Sequence, residues 1–184
     1  MAKIGLSNFY YAPNTKDDHT GVTYGAPIKV PGIISADIKT GSDISTLFAD
    51  NGPAETATAL GEITVDIELK DIPLEVQAIL LGHTITTGVM ENNVNDIAPD
   101  VAIMFESLKA NGKKRFVKLL KGKFQEPDDT NKTKEDKISF QTQKISGKFV
   151  IRQFDGAWKK TTDEDATDYV SATGAAWYTS VEKV

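Results

Sequence analysis

Few side chains in this sequence suit catalysis, and they form no recognised catalytic pattern. The chain contains two histidines, His19 and His83, and no cysteine. Without cysteine there are no disulfides, thiolate metal sites or cysteine nucleophiles. The sequence also lacks a Gly-x-Ser-x-Gly elbow, a phosphate-binding glycine loop and a His-Glu-x-x-His motif. We therefore predict a protein that is not an enzyme.

One short polar segment, 14–21, holds side chains that can ligate a cation. Asp17, Asp18 and His19 are adjacent there, but their spacing does not match a calcium-binding loop. We interpret the segment as a solvated turn. His83 follows a predicted helix, where a cation or hydrogen-bond donor is favourable near the exposed carbonyls. We accordingly expect no metal and no cofactor.

Two pairs of nearby carboxylates, Asp66/Glu68 and Asp128/Asp129, are of a type used by glycosidases. Asp66 and Glu68, however, lie in the clearest strand of the sequence, residues 63–70. Apolar and polar residues alternate there, so one face is buried and the other is wet. The two carboxylates belong to the wet face.

A carbohydrate-binding β-sandwich is a further alternative. The aromatic candidates for sugar binding are Trp158, Trp177, Tyr10 and Tyr11.

The longest β-rich stretch, 98–127, surrounds Asn111-Gly112. This dipeptide favours a hairpin with a two-residue type I′ turn. The turn predicts three cross-strand pairs: Ala110–Lys113, Phe105–Lys118 and Ile103–Leu120. One face then carries Val101, Ile103, Phe105, Phe116, Leu120 and Phe124, and the other carries Ala102, Met104, Leu108, Val117 and Leu119. Because both faces are substantially apolar, the second needs a cover from the chain's own helix or from another subunit.

A single helix is predicted over residues 73–81. Pro73 suits the first helical position, and Gly82 suits the position after the last turn. Apolar residues recur at helical spacing and should pack on a sheet; they are Ile72, Val76, Ile79 and Leu80.

Residues 41–61 are too polar and too small in side chain to build a core. We interpret them as a projecting loop or hairpin that becomes ordered on a partner, with a plain surface loop as the alternative. The acidic stretch 161–168 should be exposed, whereas the apolar residues after it should dock on a surface. We predict one domain over 1–184, mainly β (α+β), with a projecting loop at about 41–61 and a C-terminal arm at about 163–184.

The overall composition is that of an ordinary folded protein. The net charge of −5 argues against a surface that grips nucleic acid, since such surfaces concentrate lysine and arginine. No signal peptide or membrane-spanning run is evident, so we expect folding in a cytoplasm and no membrane partner.

Several stretches, in the same order along nearly the whole chain, resemble the major tail proteins of long, non-contractile-tailed phages of Gram-positive hosts. The most specific are 121–127 (KGKFQEP) and 134–142 (KEDKISFQT). The others are 1–13 (MAKIGLSNFYYAP), 24–27 (YGAP), 50–55 (DNGPAE), and 74–77 (LEVQ) with 81–83 (LGH).

This resemblance implies a tail tube protein with a β-sandwich or barrel-like core and one flanking helix. Proteins of this kind form hexameric rings that stack around the tape measure protein, between the distal tail and tail terminator proteins. Adjacent sheets join into a barrel through which double-stranded DNA passes without specific binding. The location implied is the virion tail, after assembly in the host cytoplasm. A secretion-type tube of the same fold is an alternative.

Two sets of residues are candidates for roles in a tube. Ile44, Leu47, Phe48 and Glu55, in the projecting segment, are candidates for contacts between rings. Asp66 and Glu68 are candidates for the lumen, where an acidic wall would repel DNA phosphates rather than hold them. The resemblance brings no catalytic residue.

Overall fold

The computed structural model describes residues 1–49, 52–129 and 141–182, and for 43–49 and 52–58 it describes the backbone alone. This part of the chain is mainly β. Its elements in chain order are β1 (Lys3–Asp18), β2 (Gly21–Tyr24), β3 (Ile28–Val30), β4 (Ile33–Ala49), β5 (Gly52–Leu69), α1 (Leu74–Leu81), β6 (Thr84–Thr86), β7 (Val89–Glu91), β8 (Val101–Lys109), β9 (Lys114–Phe124), β10 (Gln143–Phe149), β11 (Lys159–Asp163) and α2 (Ser171–Ala176).

Most strands belong to one antiparallel sheet with the order β2-β1-β8-β9-β10-β5-β4. β3 also pairs with β1, and β11 pairs with the first half of β9, whose last residues pair with β10. Although β4 and β1 lie far apart in this order, they are in contact. The sheet therefore bends at β9 into two facing layers, in agreement with the predicted sandwich or barrel-like fold.

Apolar side chains fill the space between the two layers, and we call this cluster the main core. The predicted alternation in β5 is confirmed, because Ile63, Val65, Ile67 and Leu69 are each at most 1% exposed. They pack with apolar residues from the facing layer, namely Phe9, Tyr11, Val101, Ile103, Phe105, Val117 and Leu119.

The predicted β8–β9 hairpin is present, but its predicted register is wrong by one residue. The observed pairs include Ile103–Leu119, Phe105–Val117 and Leu108–Lys114. The loop has three residues, 110–112, closed by a hydrogen bond from the Lys109 N–H to the Lys113 carbonyl. Of these three residues, Gly112 alone has a positive φ (78°), as in a type I turn followed by a left-handed glycine.

A one-residue slip moves one strand's side chains to the opposite face. Val117 and Leu119 consequently face the main core, whereas Phe116 and Leu120 lie on the other side, contrary to the prediction. That other side has its own buried cluster, which we call the second core: Ala12, Ala102, Met104, Leu120 and Val181.

The second core is covered by the chain itself. The predicted docking of the C-terminal segment is confirmed, since Trp177 and Val181 are each 1% exposed. Tyr178 stacks on Tyr10 with ring centroids 4.5 Å apart. The segment also contains the short helix α2, which the sequence did not predict.

Helix α1 covers the main core, as predicted. Val76, Leu80 and Leu81 pack in it, but Ile79 is 38% exposed and is wrongly placed in the predicted stripe. The helix begins at Leu74, directly after Pro73, and Gly82 follows it with φ 80°.

The first strand, β1, extends beyond Pro13 and includes part of the polar segment 14–21. Pro13 pairs with Val101 at the end of the contact with β8, and β1 then continues with β2. Segment 14–21 is therefore mostly strand and hairpin turn rather than a polar loop.

Candidate assembly surfaces

The projecting segment is the distal part of a long β4–β5 hairpin, which we call the arm. Its backbone pairs run from Ser42–Leu60 to Ala49–Gly52. Among the described residues, β10 pairs only with the proximal part of β5, Ile63 to Leu69. The arm is thus an extension beyond the sheet, one of the two forms predicted for it.

Two glycines mark the base of the arm. The register shifts between Thr40 and Ser42. A Cβ on Gly61 would lie 3.0 Å from the Gly41 carbonyl oxygen. The two backbones therefore approach closely where the arm leaves the sheet.

The four residues predicted to contact other rings all lie in this arm. In the backbone, Ile44 is paired with Thr58, Leu47 with Glu55, and Phe48 with Pro53. Their side chains lie outside the described part of the structure, so their contacts stay a prediction.

Asp66 and Glu68 lie on the side of β5 that faces away from the main core. Asp66 accepts hydrogen bonds from Lys39 (2.8 Å) and Ser146 (2.7 Å), which lower the pKa of its carboxyl. Glu68 accepts a hydrogen bond from the Thr142 hydroxyl. Both carboxylates therefore already have partners on this face.

Lysine and acid alternate across this face, which we call the polar face. The row at Asp66 includes Asp37 on β4, whereas the next row along places Lys39 and Lys148 on either side of Thr64. Lys148 also forms an ion pair with Glu62. The face thus carries mixed charge rather than the acidic wall proposed from the sequence.

Four strands of the main sheet pair on one side only in the described part of the chain. β2 and β3 each pair only with β1. β4 pairs only with β5, and β11 pairs only with β9. The edges of β4 and β11 border one cavity of about 510 Å³ at the mouth of the sandwich. Its floor includes Phe105 and Val117, and its rim includes Ile34, which is 49% exposed.

Basic side chains dominate the other part of this rim. Lys3, Arg115 and Lys159 line the cavity together with Asp37. The Arg115 guanidinium is bound to Asp163 by two hydrogen bonds of 2.6 Å. The mouth therefore combines an apolar floor, free strand edges and a charged rim, as expected of a surface that pairs with another strand.

Asp17, one of the three residues that could ligate a cation, instead joins distant segments of the fold. Asp17 accepts hydrogen bonds from Lys121 (2.7 Å) and from the backbone N–H groups of Gln153 and Phe154. Burial raises the pKa of Asp17, but these bonds lower it overall. The described residues contain no cluster of three or more metal-ligating side chains. The sequence did not indicate these partners, because they lie more than 100 positions away.

His83 lies just after α1, as predicted, but between two carboxylates, Asp96 and Glu126.

In the described part of the chain, no helix is long and apolar enough to cross a membrane.

The sequence matches a family of known proteins. No curated protein matches the sequence. A family model described as "phage tail tube protein" matches residues 8–173, which is most of the 184-residue chain. The family's role is structural, and its members are components of the phage tail. The chain, with its two-layered β sheet, open strand edges and projecting arm, belongs to the phage tail tube protein family.

Proposed function

We propose that this protein polymerises as stacked hexameric rings into the tail tube of a long, non-contractile-tailed phage of a Gram-positive host. The tube is the conduit for genome delivery. It encloses the tape measure protein and ends at the distal tail and tail terminator proteins, after assembly in the host cytoplasm. Family membership supports the tube, and the resemblance of stretches such as 121–127 to the siphophage proteins supports the finer assignment.

The observation that carries ring formation is the mouth of the sandwich, where the free edges of β4 and β11 border one cavity. A free edge presents unpaired N–H and C=O groups and is a template for pairing with another chain. Pairing these edges around a ring satisfies them without any further element. In this proposal, the mouth of each subunit contacts the next subunit in the ring.

A single substitution at the mouth tests this step. Ile34→Lys adds a charge to a half-exposed rim position and should leave the subunit folded while abolishing rings and tubes in electron micrographs. Val150→Lys is the matched control, because Val150 is 51% exposed and does not line the cavity. Normal tubes from Ile34→Lys, or equal loss from both variants, would contradict pairing at the mouth.

Stacking of rings is assigned to the arm and its residues Ile44, Leu47, Phe48 and Glu55. Between Ser42 and Leu60, the described strands of the arm pair only with each other, so their removal should leave the sheet intact. Replacing residues 43–59 with a short turn should give folded subunits that form rings but not tubes. Tubes of normal length from this deletion would exclude the arm from stacking.

The polar face, with Asp66 and Glu68, is assigned to the lumen. Its apolar opposite packs against α1, and in this proposal the helix lies toward the outside of the tube and the polar face toward the lumen. With lysines interspersed, the wall would neither grip nor strongly repel DNA, which suits passage without specific binding. A tube reconstruction that puts Asp66 on the outer wall or in a subunit seam would overturn the lumen assignment alone.

A further inference from the structure

His83 joins two separate parts of the chain through both nitrogens of its ring. Its Nδ1 lies 2.7 Å from an Asp96 oxygen, and its Nε2 lies 3.1 Å from both oxygens of Glu126. The His83 side chain is 8% exposed, that of Asp96 18% and that of Glu126 53%. The ring is therefore enclosed, while the outer carboxylate reaches solvent.

The groups around His83 fix its position. The N–H groups of Gly82 and His83 both donate to the Ala78 carbonyl, at 2.8 and 3.0 Å. A Cβ on Gly82 would lie 2.3 Å from the Ile97 carbonyl oxygen, so the loop packs tightly on the end of α1. The ring thus sits on a rigid helix end and meets its carboxylates in a defined geometry.

Each carboxylate fastens a different segment. Asp96 belongs to the 92–98 loop that follows β7 and also accepts the Asn93 N–H at 2.8 Å. Glu126 lies two residues beyond β9 and accepts a hydrogen bond from Asn92 at 2.6 Å. In the described structure, β6 and β7 pair only with each other. The contacts at His83 therefore tie this hairpin and its loop, which also contact α1, to the end of β9.

Protonation decides how many of these contacts His83 can make. The imidazolium donates from both nitrogens, whereas neutral imidazole donates from one and directs a lone pair at the other carboxylate. The hydrogen bond to Asp96 raises the pKa of His83, burial opposes this, and Glu126 raises it further. The α1 residues that line the adjoining cavities, Leu74, Gln77 and Leu81, carry no titratable group.

The structure leaves room for Glu126 to separate from the ring. Glu126 and Asn92 line two cavities, of about 420 and 300 Å³. His83 and Asp96 line the first, and Asp128 and Asp129 line the second with Glu126. When His83 is neutral, the negative charge of Asp128 and Asp129 adds no attraction that would keep Glu126 in place.

We propose that Asp96, His83 and Glu126 form a pH-sensitive clasp that fastens the β6–β7 hairpin and the 92–98 loop to the end of β9. Because the pKa of His83 is raised in the folded state, the clasp is fully stabilised below the ordinary value of 6.5. That stabilisation is lost as the pH rises through the raised value. The exposed apolar side chains of Val89, Val94 and Ile97 lie on the segment that is then released.

Hydrogen exchange of the wild-type protein, read together with an NMR titration of the His83 ring, tests the proposal. After correction for intrinsic exchange rates, protection in residues 84–98 should fall as the pH rises, in step with loss of the His83 proton. Each unit by which the pKa is raised corresponds to about a tenfold change in the closing equilibrium. Protection in β5 should stay constant over the same range.

Three variants distinguish the clasp from general pH effects. His83→Gln should remove the pH dependence in residues 84–98, whereas His19→Gln should retain it; His19 is the chain's other histidine. Glu126→Gln should lower the His83 titration midpoint in the folded protein. Unchanged protection across the His83 titration in the wild type, or the same pH dependence in His83→Gln, would overturn the proposal.

Discussion

The two faces of the β8–β9 hairpin are buried by different kinds of contact. The main core, on one side, is built from aliphatic and aromatic side chains of β5, β8, β9 and α1. The second core, on the other side, brings in the buried polar side chains of Glu106, Lys118 and Arg152. Contacts between apolar side chains are non-directional, whereas the polar contacts that accompany the second core each require a particular partner.

Lys118 shows the cost and the benefit of a buried polar contact that requires a particular partner. The side chain is fully buried, with Nζ donating to the carbonyl of Ser180 at 2.9 Å and lying 4.4 Å from the centre of the Trp177 ring. Burial, helped by the charge of Lys160, lowers its pKa to about 8. The cation thus pins the C-terminal segment at one position but is itself destabilised by desolvation.

Glu106 and Arg152 fix the same segment at two further points. Glu106 accepts hydrogen bonds from Asn8 (2.9 Å) and from the Tyr178 hydroxyl (3.1 Å). Arg152 forms ion pairs with Asp155 and Glu182. The main core therefore supplies stability, while the second core specifies where the C-terminal segment docks.

The largest effect is expected in the main core. Ile67→Ala should lower the free energy of unfolding by about 2–5 kcal/mol, because it leaves a cavity among close-packed side chains. Urea denaturation measures the change. Ile4→Ala, at a 65% exposed position, should stay within about 0.5 kcal/mol of the wild type. Equal losses from the two variants would show that the main core does not dominate stability.

The second core is tested by pH. Lys118 has a lower pKa in the folded state than in the unfolded chain, so the unfolded state binds more protons between pH 8 and 10.5. Stability should therefore rise by about 3 kcal/mol across that interval. The measurement is the wild-type free energy of unfolding minus that of Lys118→Met, which cannot titrate there. A difference that is flat with pH, or one reproduced by the exposed control Lys113→Met, would contradict a buried cation.

Removing a carboxylate from the ion-pair cluster at the tip of the β8–β9 hairpin should have an intermediate effect on stability. Asp163 binds Arg115 and Lys109, each at 2.6 Å. Asp163→Asn should cost about 1–3 kcal/mol at neutral pH. The bond to Arg115 is the main cause of the lowered pKa of Asp163. The wild-type advantage should therefore be complete above the ordinary pKa of 3.8 and shrink as the pH falls through the lowered value. Thermal unfolding of Asp168→Asn provides the exposed control.

The sequence was sufficient for features set by local pattern. The alternation at 63–70 and the apolar positions before Gly82 predicted the C-terminal part of β5, α1 and one side of the main core, because period and end signals are local properties. The hairpin was also predicted, but its register was not. Asn-Gly fits both a two-residue and a three-residue loop, and that one-residue difference exchanges the faces of β9.

Features set by distant partners could not be read from the sequence. Lys118 and Ser180 are 62 positions apart, and nothing local indicates that one binds the other. A signal was nevertheless present, because Lys118 alternates with Phe116 and Leu120 on one face. A lysine between two apolar positions of a strand indicates a buried or covered cation. The acidic stretch 161–168 is mostly exposed, as expected, but the sequence did not indicate that Asp163 and Asp165 bind Lys109.

The smallest effect on stability is expected on the polar face, which provides an exposed reference for the buried polar contacts of the second core. Lys39 and Asp66 are joined at 2.8 Å, as closely as many buried pairs, but their side chains are 70% and 36% exposed. In water and salt such a pair contributes about 0–1 kcal/mol. Asp66→Asn should therefore unfold within about 1 kcal/mol of the wild type, whereas Arg152→Ala, which uncovers a buried ion pair, should cost about 3–5 kcal/mol. Parallel urea titrations compare the two. Similar losses of stability in the two variants would show that burial does not make the polar contacts of the second core more important than those of the polar face.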